Sequence, residues 1–195
     1  MLYQFSYVQR HAFSKAYAEM LNARAAVCQD RPEWAAHMRY PAGEDVLDHT
    51  CNPVYFVSMD ESGRHMASMR IMPTTGDTVL RHNFRDVFIN CPDITSPDVW
   101  EYSLFCSSVD TTTPSGRYAA TDVTKAVCRR ALESGIRQIV GVYDTGLFRI
   151  ARRLGWEPST IATDGDTGER LVGVWDVTPP DPPSYCRAAI TWCVA

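Results

Sequence analysis

The sequence has no pair of cysteines at C-x-x-C spacing, although it holds seven of them, at 28, 51, 91, 106, 128, 186 and 193. With no such pair and an odd total, neither a zinc site nor a disulfide framework is indicated, and reduced thiols are expected. No stretch reaches the roughly 18 apolar residues of a membrane span. The N-terminus lacks a basic start followed by an apolar core, because Gln4, Gln9, Arg10 and His11 interrupt it early. These absences predict a cytoplasmic protein with no cysteine zinc site and no membrane insertion. Basic runs are missing as well, and a formal net charge of -4 argues against a general nucleic-acid binder.

What is present describes an ordinary globular chain. Its 195 residues, 45% hydrophobic and 22% charged, suit one domain over 1–195 with a core that needs no staples. Leu2–Val8 reads as a strand, and His11–Cys28 as a helix with Phe13, Tyr17, Met20, Leu21 and Val27 at helical spacing. Residues 29–52, rich in Pro, Asp, Glu and Gly, are expected to be a loop with little regular structure. Val54–Met59 and His65–Ile71 form a hairpin across Asp60-Glu61-Ser62-Gly63. A short helix at Val79–Phe84 and a strand at Val99–Ser107 come next. A helix at Tyr118–Ser134 ends on Gly135, a strand runs over Gln138–Tyr143, and a helix over Leu147–Leu154. Strands at Ser159–Thr163 and Leu171–Val177 close the pattern, before an extended Pro179–Pro183 stretch. This order predicts an α/β (α+β) fold: a mixed, twisted central sheet flanked by helices.

Three short runs carry the chemistry. Asp45-Val46-Leu47-Asp48 offers two carboxylates three residues apart, Arg70 ends a strand, and Trp100-Glu101-Tyr102-Ser103 puts an acid and a hydroxyl on one strand face. A mid-strand acid facing a core is costly unless it is paired or employed. Opposed charges beside an aromatic such as Trp34 suit a ligand with an amine, a carboxylate and a sulfonium, since an indole attracts cations through its quadrupole.

With Arg24 and Phe84, these positions resemble the acyl-homoserine lactone synthases, the LuxI-type autoinducer synthase family. The family pattern asks for Arg24, an aromatic at 28, Trp34, Asp45, Asp48, Arg70, Phe84, Glu101, Ser103 and an arginine at 104. Eight of the ten agree; Cys28 and Leu104 depart. The resemblance implies a GNAT-like acyltransferase domain, in which two central strands splay around a thioester donor. It implies synthesis of an N-acyl-L-homoserine lactone quorum-sensing signal from S-adenosylmethionine, a substrate rather than a cofactor, and an acyl thioester carried by CoA or acyl-carrier protein. Methylthioadenosine is the by-product. The resemblance gives Glu101 the role of base, with Ser103 orienting it or a water, and sets Asp45 and Asp48 on the substrate amine. Arg24, Trp34, Arg70 and Phe84 shape that pocket.

Tyr102, Phe105, Val142 and Tyr143 are candidate acyl-pocket walls, together with Leu147, Phe148 and Trp175. Arg149, Arg152 and Arg153 form a candidate dock for CoA phosphates or an acidic carrier protein. The stretch Thr112–Tyr118 does not fit the pyrophosphate loop of ordinary acetyl-CoA enzymes. The alternatives to a lactone synthase are an N-acyltransferase without lactonisation and a disabled S-adenosylmethionine-binding relative lacking the arginine at 104. Arg81, Arg85 and Arg117 are candidates to replace that guanidinium.

Overall fold

The computed structural model describes residues 1–30, 43–153, 156–165 and 167–177, without the side chains of Ile150 and Arg153. The chain runs β1 (Leu2–Ser6), a 3-10 turn (Tyr7–Phe13), α1 (Ser14–Asp30), α2 (Val46–Cys51), β2 (Val54–Met59), β3 (His65–Pro73) and α3 (Val79–Asn83). It continues through β4 (Val99–Ser107), α4 (Pro114–Glu133), β5 (Gln138–Asp144), α5 (Thr145–Arg153), β6 (Ser159–Thr163) and β7 (Arg170–Asp176). Among the described residues the strands form one sheet in the order β1-β2-β3-β4-β5-β7-β6.

Every pairing is antiparallel except β4 with β5. That parallel pair is also the shortest in register, with Val99, Trp100 and Glu101 opposite Gln138, Ile139 and Val140. Past it the two strands separate. β5 stays fully paired to β7 out to Asp144 and Arg170, so β4 is the strand that departs. The register between β3 and β4 slips between Ser68 and Arg70, where two residues of β4 face one of β3, and Leu104 takes a φ of 55° there. A bulge of this kind bends its strand and increases the local twist. The splay therefore has a conformational cause in the backbone of β4.

Helix α4 covers one face of the sheet through Ala119, Val123, Val127 and Ala131, which pack on Phe56, Met69, Tyr102 and Ile139. Its start is fixed by Thr113, whose hydroxyl accepts from the Gly116 amide at 3.2 Å, and by Pro114 in the first turn. It ends as the sequence predicts. Gly135 takes a φ of 72°, and the Ile136 amide reaches back to the Ala131 carbonyl at 2.9 Å. The opposite face is covered in two patches, by α1 over Phe5, Tyr55 and Val57, and by α2 and α3 over Met72, Phe88, Val140 and Val172.

Two expectations are corrected. The first helix does not begin at His11: a 3-10 segment occupies Tyr7–Phe13, opened by Ser6 and Gln9, and the α-helix runs on to Asp30. The Asp45 run is not irregular loop but the start of α2. Asp45 accepts from the Asp48 amide at 3.0 Å, and Asp48 accepts from the Asp45 amide at 2.9 Å. This reciprocal capping box is what two hydrogen-bonding side chains three residues apart build at a helix start. Residues 31–42, with Trp34, lie outside the described residues.

Candidate active site

The Asp45/Asp48 spacing, once folded into a cap, aims both carboxylates at one arginine. Arg70 on β3 is fully buried, and its Nη1 reaches Asp45 Oδ1 at 2.6 Å and Asp48 Oδ1 at 2.8 Å. Its Nη2 donates to Asp45 Oδ2 at 2.9 Å, and its Nε to the Ser103 hydroxyl of β4 at 3.0 Å. The planar fork of a guanidinium matches such bidentate geometry. Asp48 is saturated: it also accepts from Tyr55 at 2.7 Å and from Arg24 Nη1 at 3.2 Å. Burial alone would raise the Asp48 carboxyl, but Arg24, Arg70 and the Asp45 amide outweigh it and hold it below the usual carboxylate range. Burial opposes the charge on Arg70 too, and Asp48 and Asp45 reverse that.

Arg24 is the second cation of this cluster and is differently placed. It enters from α1 among the buried Ala16, Met20 and Ala23, and is only 2% exposed. Nη1 serves Asp48 and the Gly43 carbonyl, and the guanidinium lies 5.2 Å from the Tyr55 ring centroid. Its Nε and Nη2 are buried with no hydrogen-bond partner among the described residues.

Arg24 also lines a cavity of about 530 Å³ that occupies the splay between β4 and β5. Near Arg24 its walls are Val27, Cys28, Val79, Phe84 and Ser103; farther along they are Tyr102, Leu104, Phe105, Val142, Tyr143 and Leu147. The loop Asp110–Thr112 at the start of α4 and Arg149 of α5 complete it. Beyond the large cavity, Tyr102, Phe105, Leu147 and Trp175 border a small apolar pocket of about 20 Å³.

Glu101 occupies a different position. It is fully buried, its Oε2 accepting from the Val79 amide at 2.6 Å and its Oε1 from the Leu80 amide at 2.8 Å. Burial pushes its carboxyl up to about 7, although the two amides and the more distant Arg70 and Arg81 act against the shift. It lies outside the lining of the large cavity and borders a pocket of about 30 Å³ with Thr74, Thr78, Arg81 and Arg85. Val79 is the wall between the two, since it lines the cavity and its amide holds Glu101.

The structure thus brings together Arg24, Asp45, Asp48, Arg70 and Ser103, places Phe84, Tyr102, Phe105, Val142 and Tyr143 on the cavity wall, and sets Glu101 one residue layer behind it. Ser103 shares a strand face with Glu101 but bonds to Arg70 instead of orienting the acid. Asp45, Asp48 and Arg70 lie behind the cavity lining. Of the candidate dock, Arg149 lines the cavity and Arg152 is exposed, whereas the Arg153 side chain lies outside the described residues. Neither Arg81 nor Arg117 takes the place of an arginine at 104: Arg81 is tied to Asp93 and Thr95, and Arg117 to the Thr112 carbonyl. Arg85 borders the small Glu101 pocket.

Sequence reasoning missed Tyr55, which faces Arg70 across the β2–β3 ladder and completes the Asp48 shell. The signal was its register with Arg70 in the hairpin. The Val79 and Leu80 amides were also missed, being backbone groups with no side-chain signature.

The autoinducer synthase family model matches residues 7–177. An acyl-homoserine-lactone synthase of Rhizobium etli is 39% identical over 166 residues, covering 84% of this chain and 78% of the relative. One from Aliivibrio fischeri is 26% identical over 145 residues, 72% of this chain and 74% of the relative. Among solved structures, the synthase LasI superposes with a TM-score of 0.76 at 22% identity, over 91% of this chain and 90% of that one. A CoA-dependent acyl-homoserine lactone synthase, BjaI, with SAM and isopentyl-CoA gives 0.72 at 17% identity, over 97% and 99%. With the splayed sheet and the Asp-Asp-Arg cluster in place, this chain belongs to the autoinducer synthase family.

Proposed function

We infer that the protein is an acyl-homoserine-lactone synthase that acylates the amine of S-adenosylmethionine from an acyl thioester and then closes the lactone. The observation that carries this reading is one cavity in the β4–β5 splay that is lined both by the buried Arg24 and by the apolar Leu104, Phe105, Val142 and Leu147. The amine attacks the thioester carbonyl, so that an N–C bond forms, the C–S bond breaks and the carrier thiol leaves. The methionyl carboxylate then attacks its own γ-carbon, and the electrons of the C–S⁺ bond depart with neutral methylthioadenosine. Holding both ends of one flexible substrate supplies much of the acceleration, a proximity effect that reaches about 7–11 kcal/mol in favourable cases.

Arg24 receives the substrate carboxylate. It lines the cavity and keeps two buried donors without a partner among the described residues, whereas Arg70 lies behind the lining and spends its fork on Asp45, Asp48 and Ser103. This assignment also answers the leucine at 104, because a second guanidinium already faces the site. Asp45 and Asp48 act through the arginines they hold, as positioning residues. Glu101, lifted to about 7, is poised to take the amine proton through a water. Arg149 and Arg152, three residues apart on α5, are the carrier dock, for CoA phosphates or for an acidic carrier protein.

Purified protein given S-adenosylmethionine and a panel of acyl-CoA and acyl-carrier thioesters should release methylthioadenosine together with a new lactone, read by mass spectrometry. Acyl transfer without methylthioadenosine, or binding without turnover, would overturn the reading. Arg24→Lys should raise the KM for S-adenosylmethionine by at least tenfold and leave that for the thioester close to wild type.

A further inference from the structure

Arg24 is held more loosely than Arg70. Among the described residues its hydrogen bonds all run through Nη1, to Asp48 at 3.2 and 3.4 Å and to the Gly43 carbonyl at 3.3 Å. Its Nε and Nη2 have no partner there. Arg70 instead uses all three nitrogens, with every distance between 2.6 and 3.0 Å. A guanidinium bonded at both ends of its fork has its plane fixed, and one bonded at a single nitrogen does not. Something other than these hydrogen bonds must hold the plane of Arg24.

The ring of Tyr55 faces it. The Arg24 guanidinium carbon lies over that ring, 5.2 Å from the centroid, inside the roughly 6 Å over which an aromatic face attracts a cation. Tyr55 is itself fixed from several sides. It stands on β2 between Phe5 of β1 and Arg70 of β3. Its ring packs on Phe5 with centroids 5.5 Å apart and on Tyr17 of α1 at 5.6 Å. Its hydroxyl donates to Asp48 Oδ1 at 2.7 Å, the oxygen that also receives Arg70. Burial and the Asp48 charge push the phenol up, so it stays protonated as a donor. Tyr55 is fully buried and outside the cavity lining, so an occupant of the cavity meets Arg24 and not Tyr55.

We propose that Tyr55 is a positioning residue whose aromatic face holds the Arg24 guanidinium in the orientation that receives the carboxylate of S-adenosylmethionine. This rests on the assignment of Arg24 made above. The ring carries the effect and the hydroxyl does not. Without the hydroxyl, Asp48 still receives two arginines and the Asp45 amide. Without the ring, Arg24 keeps only its Nη1 contacts among the described residues.

The test is steady-state kinetics with each substrate varied in turn. Tyr55→Leu should raise the KM for S-adenosylmethionine about fivefold and leave that for the acyl thioester within about twofold of wild type. Tyr55→Phe, which keeps the aromatic face, should recover most of that loss. An unchanged KM for S-adenosylmethionine in Tyr55→Leu overturns the proposal. So does an equal rise for both substrates, which marks a loosened fold, and so does a Tyr55→Phe variant as impaired as Tyr55→Leu, which gives the effect to the hydroxyl. Should Tyr55→Leu fail to fold, ring-fluorinated phenylalanines at position 55 keep the shape and drain the face of negative charge. The dissociation constant for S-adenosylmethionine should then rise with each added fluorine, to about threefold, and a flat series overturns the proposal. Arg24→Lys reports separately on the reading beneath it. An unchanged KM for S-adenosylmethionine in that variant removes the Arg24 assignment and the role of Tyr55 with it. A raised KM there beside a wild-type KM in Tyr55→Leu overturns the Tyr55 proposal alone.

Discussion

At the scale of single residues, Asp48 and Glu101 are two buried carboxylates held in opposite ways. Asp48 is fully buried and receives Arg24, Arg70, Tyr55 and the Asp45 amide. Removing its charge leaves two buried guanidinium groups short of a counter-ion, so Asp48→Asn should cost about 3–5 kcal/mol, checked by urea denaturation. Glu101 has the opposite logic. Its carboxyl is raised to about 7, so the folded state binds the proton more tightly than an unfolded glutamate does. The stability it contributes is present below the ordinary glutamate value near 4.5 and is lost as pH rises through about 7. As the proposed base Glu101 acts deprotonated, so kcat/KM should climb with pH through an apparent pKa near 7. Glu101→Gln should lower turnover at least tenfold and abolish that limb while the far-UV spectrum stays native. Wild-type rates in that variant would remove Glu101 from the mechanism.

At the scale of elements, the join between β3 and β4 decides the site. His65 opens β3 and bonds through Nδ1 to the Ser108 hydroxyl just beyond β4 at 2.7 Å, while Glu19 of α1 accepts from its backbone amide. Burial pushes the His65 imidazole down to about 4, with Arg24 acting in the same direction and Glu19 against it. Its stabilising contribution is therefore present above about pH 6.5 and lost as pH falls through about 4. Denaturation midpoints taken across that window should fall less steeply in His65→Gln than in wild type. Farther along β4 the bulge at Leu104 opens the splay, and Gly141 opposite accommodates the Tyr102 ring. Gly141→Ala forces a methyl into that ring and should destabilise by about 1–3 kcal/mol, measured as a lowered melting temperature. These elements were largely readable from periodicity, and the β6 bounds were read as they are found. Helix α2 was not, because six residues carry too little pattern to outweigh a Pro- and Gly-rich neighbourhood.

At the scale of the whole molecule, the cavity lies between two separately covered sheet faces, with α1 and α3 contributing walls from one side and the α4 core behind the other. No helix among the described residues is long and apolar enough to cross a membrane. A substrate held in this cavity, as proposed above, binds the folded chain and not the unfolded one. S-adenosylmethionine at about 100 times its dissociation constant should therefore add about 2.7 kcal/mol of apparent stability, visible in a thermal melt. Arg24→Lys should show less of this gain at the same ligand concentration.

The sequence by itself determined the family and most of the succession of strands and helices along the chain, because the Asp45, Asp48, Arg70, Glu101 and Ser103 spacings are one-dimensional quantities and hydrophobic period reports burial directly. It also determined that Glu101 would need a partner, since a strand interior cannot hold an unsatisfied acid. Only the tertiary structure decided which partner. Backbone amides from α3 hold Glu101, and Ser103 goes to Arg70. Only the fold distinguished the arginines, leaving donors unpartnered on Arg24 and none to spare for the cavity on the Arg70 fork, because pairing depends on which side chains approach from elements far apart in sequence.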